Sequence, residues 1–181
     1  MVKTISILGS TGSIGVNALE VISNLKNSFK VKYLSTNKNV DLLISQIEEH
    51  KPKSVAVVDE LAAKKVKSVL DEMGIELLIG NVGLLDLSQR NDVDLVLNGL
   101  VGASGMQPTI NAIRAGVNVA LANKESLVMA GNIINKELEN SEAKLFPVDS
   151  EHSAIWQCMV GENQDDIKRI ILTGSGGPFR Q

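Results

Sequence analysis

Residues 4–15 read TISILGSTGSIG, and their reading decides the fold. Thr4–Leu8 is a short β-rich run, and it passes directly into Gly9, Gly12 and Gly15. Behind them Ile14–Asn24 carries apolar residues at helical spacing. Strand, glycine turn and helix together open a βαβ unit. The spacing is G-x-x-G-x-x-G, one residue wider than the common dinucleotide fingerprint, but the physics is the same. Glycine lets the backbone turn tightly and come close to a pyrophosphate, and the helix N-terminus offers free N–H groups and the positive end of its dipole. The alternative is an ordinary strand–helix turn. A P-loop is excluded, because no Gly-Lys-Ser/Thr follows to hold an ATP phosphate and its magnesium.

Outward from this loop, β-rich runs alternate with amphipathic ones. Strands are expected near Lys32–Ser35, Ser54–Val58, Glu76–Ile79, Asp94–Leu97, Asn118–Leu121, Leu145–Val148 and Ile170–Thr173. The periodicity predicts helices over Val40–His50, Glu60–Met73, Pro108–Ala115, Glu125–Glu139 and His152–Val160. The run SVAVV is almost continuously apolar, as a parallel strand covered on both faces should be. Such alternation predicts an α/β fold, a Rossmann-like doubly wound, mostly parallel sheet, whose ligands sit at the carboxyl ends of the strands. A boundary near Val148–Asp149 divides it into residues 1–148, a dinucleotide-binding domain, and residues 149–181, the start of a second α/β domain.

Composition narrows the function. The 181 residues are 44% hydrophobic, enough for one domain and part of another. The net charge of -3 and an aromatic content of 3% argue against nucleic acid and anionic membranes. The single cysteine, Cys158, cannot form an internal disulfide and suits a reducing, cytoplasmic compartment. No signal peptide is expected, since the chain enters a strand at once. No apolar run approaches roughly 18 residues, so no membrane span is expected.

Several polar stretches fall at strand ends. After the second strand comes LSTNKN, Leu34–Asn39, where an NAD site would usually place an acid about 20 residues past the glycines. Here the polar side chains of Ser35, Thr36, Asn37, Lys38 and Asn39 suit a 2′-phosphate instead, with Lys38 as countercharge; the alternative is a solvated loop. The Gly-rich Asn98–Thr109 is either a cofactor-facing loop or a flexible connection. In LANKESLV, Asn123 can cap a helix whose first turn holds Lys124 and Glu125. A lysine there opposes the helix dipole by about 0.3–1 kcal/mol, which makes it a candidate for gripping substrate or cofactor.

In KLFPVDSEHSAIWQ, Asp149 and Glu151 follow a buried-type strand. On an extended segment, side chains two apart point the same way, so the two carboxylates are expected to converge on a shared cation. Equally, Asp149 or Ser150 can cap a helix starting near His152. His152 suits a surface or supporting role, His50 a structural one, and Cys158 and Trp156 a core stripe. The chain closes on GSGGP, Gly174–Pro178, where backbone N–H groups and Ser175 could form an anion nest. A chain that stops inside such a loop is expected to be a fragment.

ILGSTGSIG, LANKESLV, PVDSEH and LTGSGGPFR, in this order and spacing, resemble the 1-deoxy-D-xylulose 5-phosphate reductoisomerases over all 181 residues. The resemblance implies reduction and isomerisation of 1-deoxy-D-xylulose 5-phosphate to 2-C-methyl-D-erythritol 4-phosphate, in non-mevalonate isoprenoid biosynthesis. It implies NADPH and a divalent metal (Mn²⁺, Mg²⁺ or Co²⁺) as cofactors, and a cytoplasmic enzyme whose full-length form is a homodimer. Cofactor contacts then match Thr11, Gly12, Ser13, Ile14, Asn37, Lys38, Asn39, Asn123 and Glu125. The family often has Gly where Asn37 stands, so that backbone contact departs from the pattern. Substrate contacts match Lys124, Ser150, Glu151 and Ser175, and metal ligands match Asp149 and Glu151. The implied catalytic residues are Lys124, Asp149 and Glu151: a metal held by the two acids acts as Lewis acid on a retro-aldol–aldol rearrangement, NADPH reduces the resulting aldehyde, and Lys124 stabilises oxyanion charge. A third metal-binding glutamate, a flap and further phosphate-holding residues belong to the family beyond this stretch, so the 181 residues alone are expected not to turn over. Two other readings use the glycine loop: another NADP-dependent oxidoreductase, or an NADP-binding regulatory domain. The first lacks a nucleophilic Cys or a Lys/Tyr pair, and the second leaves Asp149, Glu151 and Ser175 without a role.

Overall fold

The computed structural model describes residues 2–25 and 27–171. Among them, strands β1 (Lys3–Leu8), β2 (Phe29–Thr36), β3 (Ser54–Val57), β4 (Glu76–Ile79), β5 (Leu95–Asn98), β6 (Asn118–Leu121) and β7 (Leu145–Pro147) form one sheet. Helices α1 (Ser13–Asn24), α2 (Val40–His50), α3 (Glu60–Glu72), α4 (Gly80–Ser88), α5 (Met106–Arg114), α6 (Lys124–Glu139) and α7 (Ser150–Met159) connect and follow them. A 3-10 turn, Gly102–Gly105, precedes α5.

The strand order is β4-β3-β2-β1-β5-β6-β7, and every pairing is parallel. This is the doubly wound arrangement, with its switch point between β1 and β5. Alternation along the strands sends side chains to two cores. Ile5, Ile7, Val55 and Val57 meet Leu19, Leu43, Ile47, Val66 and Leu70 on the face covered by α1, α2 and α3. Leu8, Tyr33, Ala56, Val96, Val119 and Leu121 meet Leu84, Leu87, Ile113 and Ile134 from α4, α5 and α6 on the other. The β1–β2 register slips between Ile5 and Ser6, so Ile5 pairs with Val31 and Ser6 with Tyr33. That bulge lets Val31 and Leu34, three apart, share a core.

Two expectations are corrected. Helix α4 was not expected, because GNVGLLDLS is poor in helix formers. Burial of Leu84 and Leu87 overrides that weak propensity, and Gly83 permits close approach: a Cβ there would lie 2.9 Å from the Leu78 Cβ. The strand expected over Ile170–Thr173 does not form at Ile170 and Ile171, which are 58% and 70% exposed without a partner strand among the described residues. Leu172 and Thr173 lie outside the described residues. No described helix is long and apolar enough to cross a membrane.

Candidate functional site

The strand order lays the predicted loops side by side along the carboxyl edge. Asn37–Asn39 follows β2, the glycine loop β1, Gly99–Gly105 β5, Asn123–Glu125 β6 and Asp149–Glu151 β7. Four steps between neighbouring strands span roughly 19 Å, at about 4.8 Å each. The loops leaving β1 and β5 diverge to opposite faces, and the crevice opens there.

The glycine loop is built for close approach. Gly9 sits at φ +80°, where only glycine is unstrained. Gly15 is buried, and a Cβ on it would lie 2.5 Å from the Ser10 Cα and closer still to the Gly9 carbonyl oxygen, so α1 packs directly on the turn. Gly12 is the N-cap and has no side chain to occupy the first amides of α1, whereas α2, α3, α6 and α7 are capped by Asn39, Asp59, Asn123 and Asp149. The first N–H groups of a helix have no intrahelical partner. Those of α1 open onto exposed Gly12, Ser13 and Ile14.

The loop is braced from below, and Ser35 and Thr36, expected to help hold a 2′-phosphate, are instead buried and spent on this bracing. Ser35 on β2 accepts from the Gly9 N–H at 3.0 Å through its hydroxyl, and its carbonyl accepts from the Ser10 N–H at 2.8 Å. Gln46 on α2 donates to the Ser10 carbonyl at 2.8 Å, and Thr11 and Thr36 share a hydroxyl hydrogen bond of 2.6 Å. The signal for Gln46 was visible: a polar residue on the stripe of Leu43 and Ile47.

Beside this loop, Asn37, Lys38 and Asn39 are exposed. Asn39 accepts from the Leu42 N–H at 3.2 Å, so its side chain is committed to capping α2. Lys38 stands 3.7 Å from Asp59, whose carboxyl the Ala62 N–H and then Lys38 hold below the usual carboxylate range. Lys38 is 73% exposed and free to turn to an anion.

At the far end of the edge the carboxylate pair takes the capping alternative, and the convergence expected of an extended segment does not form. Asp149 is extended, at φ -62° and ψ 151°, but Ser150 already begins α7. Glu151 therefore lies in the first helical turn and does not alternate along a strand with Asp149. Asp149 instead caps: its carboxylate accepts from the His152 N–H at 3.1 Å and meets the His152 ring at 2.6 Å. Burial pushes the Asp149 carboxyl up, but the His152 N–H and ring, with the positive potential of His152 and Lys124, hold it below the usual range. Lys124 is thus within electrostatic reach of Asp149, and β6 pairs with β7. Lys124, Glu125 and Ser150 are exposed. Among the described residues no three His, Cys, Asp or Glu side chains gather as a metal site. Asp149 and Glu151 do offer the hard oxygens that Mg²⁺ and Mn²⁺ take.

Asn123 is 2% exposed, and its amide is fully used within the protein, so any cofactor contact there falls to its backbone. The core stripe expected in α7 is also corrected. That helix has no buried residue; Cys158 is exposed, and Trp156 is 43% exposed while stacking edge-on against Phe146. Helix α7 packs on the sheet chiefly through β7, which sits at the sheet edge. Ser175 lies outside the described residues.

Comparison with known proteins agrees with this geometry. Residues 5–131 match the family model of 1-deoxy-D-xylulose 5-phosphate reductoisomerase, and residues 145–181 that of its C-terminal domain. The reductoisomerase of Chloroherpeton thalassium is 49% identical over 178 residues, which cover 98% of this chain and 46% of that protein. The Zymomonas mobilis enzyme, solved with NADPH, superposes with a TM-score of 0.92 at 37% identity, over 99% of this chain and 47% of that one. A DOX-P reductoisomerase solved with NADPH, fosmidomycin and magnesium superposes with a TM-score of 0.81 at 35% identity, over 87% of this chain and 39% of that one. The chain spans about half the length of the curated relatives it matches. By these matches, and by the loops its sheet aligns, this chain belongs to the 1-deoxy-D-xylulose 5-phosphate reductoisomerase family.

Proposed function

We propose that this chain binds NADPH on residues 1–148 and begins, at residues 149–181, the catalytic part of an enzyme converting 1-deoxy-D-xylulose 5-phosphate to 2-C-methyl-D-erythritol 4-phosphate. The observation that carries the reading is the row of loops along one sheet edge, with the uncapped, glycine-lined N-terminus of α1 at the switch point, Lys124 two strands beyond and Asp149, Ser150 and Glu151 three. The cradle fits a dinucleotide, since Gly12 leaves the α1 amides open and Gly15 lets the helix close on the turn. The carboxylates fit a divalent ion in kind, with substrate and water completing the oxygens. The relatives solved with NADPH and with magnesium support both assignments.

Each residue has a stated task. The backbone amides at Ser13 and Ile14, beside Thr11 and Gly12, hold the pyrophosphate, the Gly12 N–H itself being spent on the Gly9 carbonyl, and Asn37, Lys38 and Asn39 meet the 2′-phosphate with charge from Lys38. Asp149 and Glu151 hold the metal, and Ser150 and Glu151 orient the sugar phosphate. Lys124 places positive charge where anionic oxygen develops. Asn123 sets the start of α6 and so places Lys124 and Glu125. Ser175 is assigned to the phosphate end of the substrate. When bound, NADPH supplies hydride and the metal supplies Lewis acidity.

The test is a fluorescence titration of the chain with NADPH and with NADH. Preferential binding of NADPH, lost in Lys38→Ala, is expected. Equal affinity for the two would overturn the 2′-phosphate assignment, and binding of neither by a cooperatively melting chain would overturn the dinucleotide reading.

A further inference from the structure

Two buried asparagines stand at the carboxyl ends of adjacent strands, and neither keeps a free donor. Asn98 ends β5 and is fully buried. Its amide donates to the Gly105 carbonyl and to the Thr109 hydroxyl, each at 2.8 Å, and its oxygen accepts from the Leu100 N–H at 3.2 Å. The Thr109 hydroxyl passes a further bond to the Gly105 carbonyl at 2.9 Å. Asn123, just past β6, donates to the Leu100 carbonyl at 2.7 Å and the Gly102 carbonyl at 2.6 Å. Its oxygen accepts from the Ser126 N–H and hydroxyl, each at 2.9 Å.

The bonds converge on the backbone of Leu100–Gly105. Beyond half-buried Leu100, which packs on the core, that loop has little apolar burial to hold it: Val101 is 87% exposed, and Ala103 and Ser104 are exposed. Past Leu100 its shape therefore comes chiefly from the two amides, with the Ser104 hydroxyl adding a bond to the Val101 carbonyl at 2.8 Å. Gly105 is required, because a Cβ there would lie 2.5 Å from the Asn123 amide nitrogen. The start of the loop lies against the glycine loop. The Gly99 N–H donates to the Leu8 carbonyl at 2.9 Å, and a Cβ on Gly99 would stand 3.4 Å from the Ile14 side chain.

We propose that Asn98, with Thr109 and with Asn123 opposite, is a positioning residue for the cofactor. It holds Gly99–Gly105 as a preformed wall of the crevice facing the glycine loop, so that NADPH enters a shaped cleft. The inference rests on the dinucleotide reading given above. A binding-competent shape populated only in part weakens apparent affinity by that fraction. Without the Asn98 amide, the Gly105 carbonyl and the Leu100 N–H lose the partners that set the turn.

The experiment compares NADPH dissociation constants, thermal melts and amide hydrogen exchange for the unaltered chain, Asn98→Ala, Thr109→Val and Val66→Ala. The last lies in the core of α3 on the other face and serves as a control for lost stability alone. Expected is a weakening of about tenfold in Asn98→Ala, as when the held shape falls to about a tenth of the population. A smaller weakening is expected in Thr109→Val. Exchange over Gly99–Gly105 should quicken in both, while Val66→Ala lowers the melt and leaves affinity and loop exchange alone. Should Asn98→Ala fail to fold, Thr109→Val decides by itself. If the unaltered chain binds NADPH and both loop variants bind within twofold of it, the positioning role is refuted. If the unaltered, folded chain does not bind NADPH, the dinucleotide reading falls and this inference with it.

Discussion

Replacing Gly15 by alanine tests whether α1 is seated on the glycine loop as described. Inside a helix, glycine to alanine normally gains about 0.5–1 kcal/mol. Here the new Cβ would stand 2.5 Å from the Ser10 Cα, with the Gly9 carbonyl oxygen nearer still. All of these are backbone atoms, so no flexible side chain can swing aside. Recovering ordinary contact requires α1 and the turn to separate by about 1 Å, and overpacking of this sort costs about 1–3 kcal/mol. The net expectation is a loss of about 1–2 kcal/mol, after offsetting the propensity gain. For a chain of this size each kcal/mol moves Tm by about 2–4 °C. The same shift pulls the Ser13 and Ile14 amides off the cofactor, so NADPH affinity should fall along with Tm. Gly131→Ala in α6 is the matched control, since nothing lies within 4 Å of its Cβ position. That variant should gain about 0.4–1 kcal/mol and leave NADPH binding unchanged. Differential scanning calorimetry with an NADPH titration reads both effects. A Gly15→Ala chain as stable as Gly131→Ala, or one that binds NADPH unaltered, would refute the seating argument.

Three further outcomes are expected. Asn123→Ala removes a cap and strands the Leu100 and Gly102 carbonyls, so chemical denaturation should show a loss of about 2–4 kcal/mol. Asp149→Asn keeps an oxygen for the His152 N–H but removes the charge; Mn²⁺ binding followed by electron paramagnetic resonance should be lost with Tm nearly unchanged, and retained binding would sink the ligand assignment. Glu76 is held to about 2, chiefly by hydrogen bonds from Arg90 and then Ser54, against an ordinary value of 4.5. Its pairing therefore contributes fully above pH 4.5 and is lost as the pH falls towards 2, so Glu76→Gln should flatten the acid side of the urea-midpoint profile across that window. An unchanged acid limb would show that the Arg90 pairing does not contribute.

The sequence alone determined the features set within a window of a few residues. Alternating β-rich and helical periodicities foretold six helices and the seven strands of a parallel sheet, with ends within a few residues of those observed. Gly9, Gly12 and Gly15 marked the turn because only a residue without a Cβ tolerates the positive φ at Gly9 and the backbone contact at Gly15. Asn123 could be read as a cap because capping is a contact of three residues' reach.

Only the tertiary structure decided the rest. Strand order depends on lateral hydrogen bonds between segments far apart in sequence, which no local pattern encodes. That order places Lys38, the glycine loop, Lys124 and Asp149 along one edge. Helix α4 forms because two leucines find a core, against its own composition. Asp149 and Glu151 leave strand alternation because α7 starts at Ser150, where an available cap competes with continued extension. Cys158 and Trp156 looked like core residues, since periodicity reports an apolar stripe and not what covers it. The clasp of Asn98 on its loop stayed hidden for the same reason: a buried amide's partners are settled by which backbone carbonyls the fold brings to it.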